Sequence, residues 1–136
     1  MSIDLTSIES MFKNRRANLL GHEQMRMASV LLPLLEKDGQ THILFQVRGK
    51  KLRTQPGEIC FPGGGIERED KNEEETAIRE TCEELGLEKN QIKMVAPLDL
   101  HVTPFHAVIH PFVGVILEPN AIRPDYFEVE EVFTVP

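Results

Sequence analysis

Three carboxylates fall within five residues at Glu80, Glu83 and Glu84, with Arg79 ahead of them and Gly86 behind. On a helix, acids spaced i, i+3 and i+4 share a face, and an all-oxygen donor set suits a hard cation such as Mg2+ or Mn2+. A glycine run, Gly63, Gly64 and Gly65 behind Pro62, leads into this segment. Glycine allows positive φ and close backbone approach to a ligand. A cation platform fed by such a loop points to hydrolysis of phosphorylated substrates.

A helix must position those acids. Asn72 supplies an N-cap, Glu73, Glu74 and Glu75 suit the positive end of the helix dipole, and Gly86 is a left-handed terminator. At about 100° per residue, Glu84 lies roughly 40° to one side of Glu80 and Glu83 roughly 60° to the other. Ile78, Cys82 and Leu85 fall opposite and are expected to face the core, with Arg79 beside Glu83 as an i,i+4 partner. A charged helix face is most often simply solvated. Here the acids repel each other by a few tenths of a kcal/mol per pair, a strain that a cation removes.

Upstream, Thr41–Arg48 is rich in β-formers and reads as a strand. The next loop carries Arg48, Lys50, Lys51 and Arg53, four cations in six residues of a chain with net charge −7. By itself it would pass for a basic surface loop. Directly ahead of the glycine run and acid helix, it suits phosphate oxygens, which arginine can grip with two hydrogen bonds.

At 136 residues the chain can bury one core, so residues 1–136 are expected to form a single domain. Its acidic balance argues against nucleic-acid or anionic-membrane partners. Cys60 and Cys82 form no CxxC pair and the N-terminus lacks a signal-peptide pattern, so reduced thiols and a cytoplasmic location are expected. The apolar stretch Val30–Leu35 is too short to span a bilayer. Thr6 with Glu9 makes a capping box for a helix running to Asn14. Further strands are expected at Ala28–Leu35, Ile92–Leu98, Val108–Leu117 and Val129–Val135, with a hairpin turn at Asp38-Gly39.

Residues 64–87 resemble the Nudix box, G-x5-E-x7-R-E-U-x-E-E-x-G-U, where U is bulky and apolar. Arg79, Glu80, Glu83, Glu84, Gly86 and Leu87 match. Thr81 replaces the first apolar residue, and the upstream spacing is one residue long. Counting from Gly64 puts Asp70 at the upstream acid position, and counting back from Arg79 puts Lys71 there; Asp70 with a one-residue insertion is the preferred alignment. Residues 44–64 are similar to the signature of the coenzyme A pyrophosphatase subgroup, matching at Arg48, Leu52, Arg53, Gly57 and Phe61-Pro62-Gly63-Gly64. Gly49 stands where that signature has Ser, and Gln55 where it has His.

The resemblance implies an α/β fold, a Nudix-type α/β/α sandwich with a mixed central sheet. It implies metal-assisted cleavage of the pyrophosphate of coenzyme A or its thioesters to 3′,5′-ADP and 4′-phosphopantetheine or its acyl form. Glu80, Glu84 and Glu83 would hold Mg2+ or Mn2+, and Arg79 would orient them. Arg48, Arg53, Gly63 and Gly64 would meet the small-molecule nucleotide substrate, and a second copy of the chain is the candidate partner in a homodimer. Glu83 is one candidate proton acceptor; an acid outside the box, Glu128 or Glu130, which alternate onto one face of the last strand, is the other. His101, His106 and His110 form no zinc signature and read as structural rather than substrate-binding. ADP-ribose or a nucleoside triphosphate are alternative substrates, and a non-catalytic Nudix-fold binding module is a third reading. Family members usually continue past a segment like Val132–Pro136 into a further helix, so a shortened C-terminus with some apolar surface left uncovered is expected. A natural product of the mass encoded here would refute that expectation.

Overall fold

The computed structural model describes residues 2–16, 25–104 and 106–136. The first helix, α1 (Leu5–Phe12), buries no residue. Its cap is Asp4, not the expected Thr6: the Asp4 carboxylate accepts from the Ser7 N–H at 3.2 Å and the Ser7 hydroxyl at 2.7 Å. Aspartate carries a full charge to the exposed N–H groups, which a threonine hydroxyl does not.

The remaining elements make one mixed sheet and a helix laid upon it. Strand β1 (Arg26–Lys37) turns at Asp38 and Gly39, φ 52° and 75°, into β2 (Gln40–Arg48). That pair of positive φ values is what a two-residue hairpin loop requires. Two short strands that the sequence pattern does not announce follow, β3 (Ile59–Cys60) and β4 (Gly63–Gly65). Helix α2 (Glu73–Leu85) comes next, then β5 (Ile92–Pro97), a third unforeseen strand β6 (His101–Val102), β7 (Ala107–Ile116) and β8 (Val129–Val135).

The sheet runs β3-β2-β1-β7-β5, with β4 on β1, β6 on β7 and β8 on β2. Among the described residues only β1 and β7 pair in parallel, from Arg26↔Ala107 to Leu34↔Val115. On its other edge β1 changes partner: Ala28–Val30 pair with β4, and Leu34–Lys37 pair with β2. Pro33 lies in the gap between those ladders, where no antiparallel partner needs its missing N–H. The β4 arm of this fork lies against the C-terminal half of α2, at Glu80 and Glu84.

Helix α2 covers one face. Leu31, Leu35, Leu44, Ala77, Leu85, Leu87, Ile92 and Ile116 form the core between helix and sheet, with Ile78 and Cys82 partly buried against it. On the opposite face Phe45 stacks between Phe61 and Phe133, with ring centroids 4.9 and 5.6 Å away. Both cysteines are free thiols. Among the described residues no helix is long and apolar enough to cross a membrane.

Candidate active site

Helix α2 begins and ends as its sequence requires. The Asn72 side chain accepts from the Glu75 N–H at 2.8 Å, and Gly86 closes the helix at φ 65°. A side chain at residue 86 would also strike the Arg123 carbonyl, so glycine is needed there twice over.

The acid face is turned differently from the expectation. Thr76, Ala77, Thr81, Glu84 and Leu85 are the buried residues of α2. Glu84 is 4% exposed, the Glu80 side chain 15% and the Glu83 side chain 56%. Two of the three acids therefore point under the helix toward the sheet instead of lining an outer edge. Thr81, which stands at an apolar family position, is fully buried, and its hydroxyl donates to the Ala77 carbonyl at 2.7 Å. That local bond satisfies the hydroxyl without a tertiary partner.

Strand β4 receives the two inner acids, and Gly64 makes room for Glu80. None of Gly63, Gly64 and Gly65 has positive φ, contrary to the expectation for a glycine loop; they form β4 against β1. A Cβ at residue 64 would lie 2.5 Å from the Glu80 carboxyl carbon. The Gly63 N–H donates to Glu84 Oε2 at 2.9 Å. The close approach that glycine permits is thus made by the protein's own carboxylates. Gly64→Ala is expected to push Glu80 out of place and lower turnover about 100-fold, while circular dichroism retains the folded spectrum. Unchanged turnover would mean that Glu80 has freedom the packing denies it.

Arg79 clamps the cluster. Its Nε and one terminal nitrogen donate to the two Asp70 oxygens at 2.9 and 3.0 Å, a two-pronged pair. The other terminal nitrogen reaches Glu80 at 2.9 Å and Glu83 at 3.3 Å, and the guanidinium also meets the Gly65 carbonyl at 3.2 Å. Asp70 additionally accepts from the Thr76 hydroxyl and the Glu67 N–H. Asp70, not Lys71, is the upstream partner of Arg79. The arginine beside it holds the Asp70 carboxyl well below the usual range, and Asp70 in turn raises the Arg79 pKa.

Electrostatics set the two inner acids apart. Burial pushes Glu84 up to about 8, with the Glu80 and Glu128 charges adding to the shift and the Gly63 N–H and the Gln46 amide opposing it. Burial also raises Glu80, against the pull of Arg79 and with Glu83 and Glu128 adding. These carboxylates resist ionising together, which is the condition a divalent cation relieves. The donor set therefore fits such an ion. Among the described residues no three acid, His or Cys side chains already converge as a complete cage. Mg2+ commonly takes only one or two protein carboxylates and keeps waters and substrate phosphates as its other ligands.

The two outside acids separate. Glu128 precedes β8 and its charge acts on both Glu80 and Glu84. Glu130 sits at a register shift, between Arg48↔Val129 and Val47↔Glu131, and pairs with Lys50 at 3.3 Å. A bulge thus removes the shared strand face on which they were grouped. Gln46, unremarked in the sequence, is 1% exposed, with its Nε2 3.9 Å from Cys60 Sγ.

In the basic loop, Arg48 is folded back on Thr54, donating to its carbonyl at 3.2 Å, while Lys51 and Arg53 are exposed. His101 lies in β6, His106 has φ 59°, and His110 lies in β7 with Nε2 buried and without a hydrogen bond.

Fold and site together define a Nudix domain. The NUDIX domain model matches residues 25–136, and the chain belongs to that family. It is similar to peroxisomal coenzyme A diphosphatase NUDT7 of Mus musculus, 40% identical over 115 residues, which cover 85% of this chain and 49% of that protein. It is also similar to mitochondrial coenzyme A diphosphatase NUDT8 of Homo sapiens, 35% identical over 112 residues, covering 80% and 48%. The chain spans about half the length of these curated relatives. Among solved structures, a C. elegans Ap4A hydrolase binary complex superposes with a TM-score of 0.65 at 17% identity, covering 81% of this chain and 79% of that one, a likeness of fold. Nudix hydrolases generally need a divalent metal ion.

Proposed function

We propose that this chain hydrolyses the pyrophosphate bond of coenzyme A or its thioesters, giving 3′,5′-ADP and 4′-phosphopantetheine or its acyl form. The observation that carries the reading is the pair of mutually repelling carboxylates, buried Glu84 and half-buried Glu80, held by Arg79 and β4. The names of the relatives, which are coenzyme A diphosphatases, support the substrate.

Glu80 and Glu84 would hold Mg2+ or Mn2+, and Glu83 would add a ligand from the rim. The cation, when bound, neutralises phosphate oxygens and lowers the pKa of the attacking water. Arg79 keeps Glu80 and Glu83 aligned through its anchorage on Asp70. The water oxygen forms a bond to phosphorus, the bridging P–O bond breaks, and the water's proton passes to a carboxylate. Glu83, the most exposed of the three box acids, is that acceptor. Glu128 is the alternative, supported by its action on Glu80 and Glu84. Arg48 and Arg53 meet the phosphates, and the Gly63-Gly64 strand forms the floor beside them.

A panel of coenzyme A, acetyl-coenzyme A, ADP-ribose and a nucleoside triphosphate, each with Mg2+, Mn2+ or chelator, tests this by product chromatography. Coenzyme A or its thioester should turn over fastest, yield 3′,5′-ADP and stop with chelator. Faster cleavage of ADP-ribose would reassign the substrate, and binding without cleavage of any member would favour a non-catalytic module. A homodimer and a cytoplasmic setting belong to the same proposal, open to light scattering and cell fractionation; the two relatives carry peroxisomal and mitochondrial names.

A further inference from the structure

The turn from Arg123 to Val129 joins the acid end of α2 to the basic loop. The Asp125 N–H donates to the carbonyl of Glu84 at 2.9 Å, and the Arg123 N–H to that of Leu85 at 2.7 Å. These bonds satisfy carbonyls that the end of α2 leaves free. On the other side the Gly49 N–H donates to the Glu128 carbonyl at 2.9 Å, and a Cβ at residue 49 would strike the Phe127 carbonyl. Within the turn, Asp125 takes the Phe127 N–H on its side chain at 3.1 Å and the N–H groups of Glu128 and Val129 on its carbonyl at 3.1 and 2.8 Å.

This well-tied backbone presents two large rings to solvent: Tyr126 is 74% exposed and Phe127 61%. A single exposed aromatic is ordinary. Here two stand in succession on a segment whose backbone bonds to the Glu84 carbonyl and whose next residue, Glu128, acts on both Glu80 and Glu84. We propose that Tyr126 and Phe127 form the stacking platform for the adenine ring of the substrate, an inference that rests on the adenine-nucleotide reading above. A substrate whose phosphates spanned the acid cluster and the basic loop would bring its base to the turn that touches both, where an apolar, planar support is presented. A flat base gains from an aromatic face what a flexible pantetheine arm does not.

The test measures binding of the two product halves by calorimetry to wild type, Tyr126→Ala, Phe127→Ala and the double variant. Affinity for 3′,5′-ADP should fall about tenfold per ring, while affinity for 4′-phosphopantetheine stays unchanged. In turnover of coenzyme A, KM should rise with kcat nearly constant, and Phe127→Trp should keep wild-type affinity. Because both rings are exposed, Tm should not move. Unchanged affinity for 3′,5′-ADP, or equal weakening for both halves, overturns the platform. If wild type cleaves ADP-ribose but not coenzyme A, the substrate reading alone falls, and the same variants should then weaken ADP. If wild type binds no adenine nucleotide, both proposals fall.

Discussion

Glu84→Gln lowers turnover of coenzyme A by about 100- to 1,000-fold, the several kcal/mol that metal-borne charge stabilisation is worth in a transition state. The substitution is nearly isosteric, and the glutamine oxygen still accepts from the Gly63 N–H. It removes a carboxyl whose charged form the site desolvates and Glu80 and Glu128 repel, so that metal-free wild type must bind a proton to fold at pH 7. The sign for stability is therefore opposite to that for activity. A carboxyl whose folded pKa lies above its unfolded value costs stability once pH exceeds the unfolded value. At pH 7 the metal-free variant should be more stable than metal-free wild type by roughly 1–3 kcal/mol, since a tenfold change in proton affinity is worth about 1.4 kcal/mol. Added Mn2+ should raise the wild-type Tm and leave the variant's almost unmoved. Denaturant melts with and without Mn2+, read beside kinetics, check the pair of outcomes. A variant that keeps full turnover removes Glu84 from the mechanism.

Asp70→Asn destabilises the fold by about 3 kcal/mol, the low end for breaking a buried ion pair, because Arg79 retains Glu80 and Glu83. The Asp70 side chain is only 3% exposed, and both of its oxygens are engaged. For a chain of this size the loss corresponds to a Tm lower by roughly 10 °C. Turnover should fall about tenfold as well, since Arg79 loses the anchor that aligns Glu80 and Glu83. The pH dependence has a defined sign. The folded Asp70 pKa lies below its ordinary value of 3.8. Its contribution is complete above that value and fades as pH falls through it toward the folded pKa. The gap between wild type and Asp70→Asn should therefore be full at pH 6 and shrink below about pH 4. Urea melts at pH 6, 4 and 3 measure it; a gap that widened on acidification would contradict the pairing.

Local rules carried much of the fold. Alternating β-formers, the Asp38-Gly39 turn, the Asn72 cap and the Gly86 stop each act through neighbours in the chain, and the long strands and α2 appear within a residue or two of their expected bounds. Motif spacing likewise brought Arg79, Glu80, Glu83 and Glu84 to one helix, and Arg48 and Arg53 to the end of β2 and the loop that follows it. The short strands β3, β4 and β6 escaped notice because two or three residues carry no period, and their strand identity comes from partners elsewhere in the chain.

Three further features depended on what the sheet placed next to each residue. Helical periodicity grouped Glu80, Glu83 and Glu84 on one face, but the missing side chain of Gly64 admits Glu80, the Gly63 N–H holds Glu84 beneath α2, and Glu83 stays outside. Strand alternation grouped Glu128 with Glu130, and the bulge against Arg48 separated them. Gln46 looked like any polar strand residue until the sheet flanked it with β3 and β8 and set its amide against Glu84. What the chain alone determined were the residues within a helical turn or a hairpin of each other, because their spacing follows from backbone geometry. Which acids are buried, which arginine is anchored and which outside carboxylate joins them depended on contacts between segments distant in sequence, where burial and charge are set by the neighbours that tertiary folding supplies.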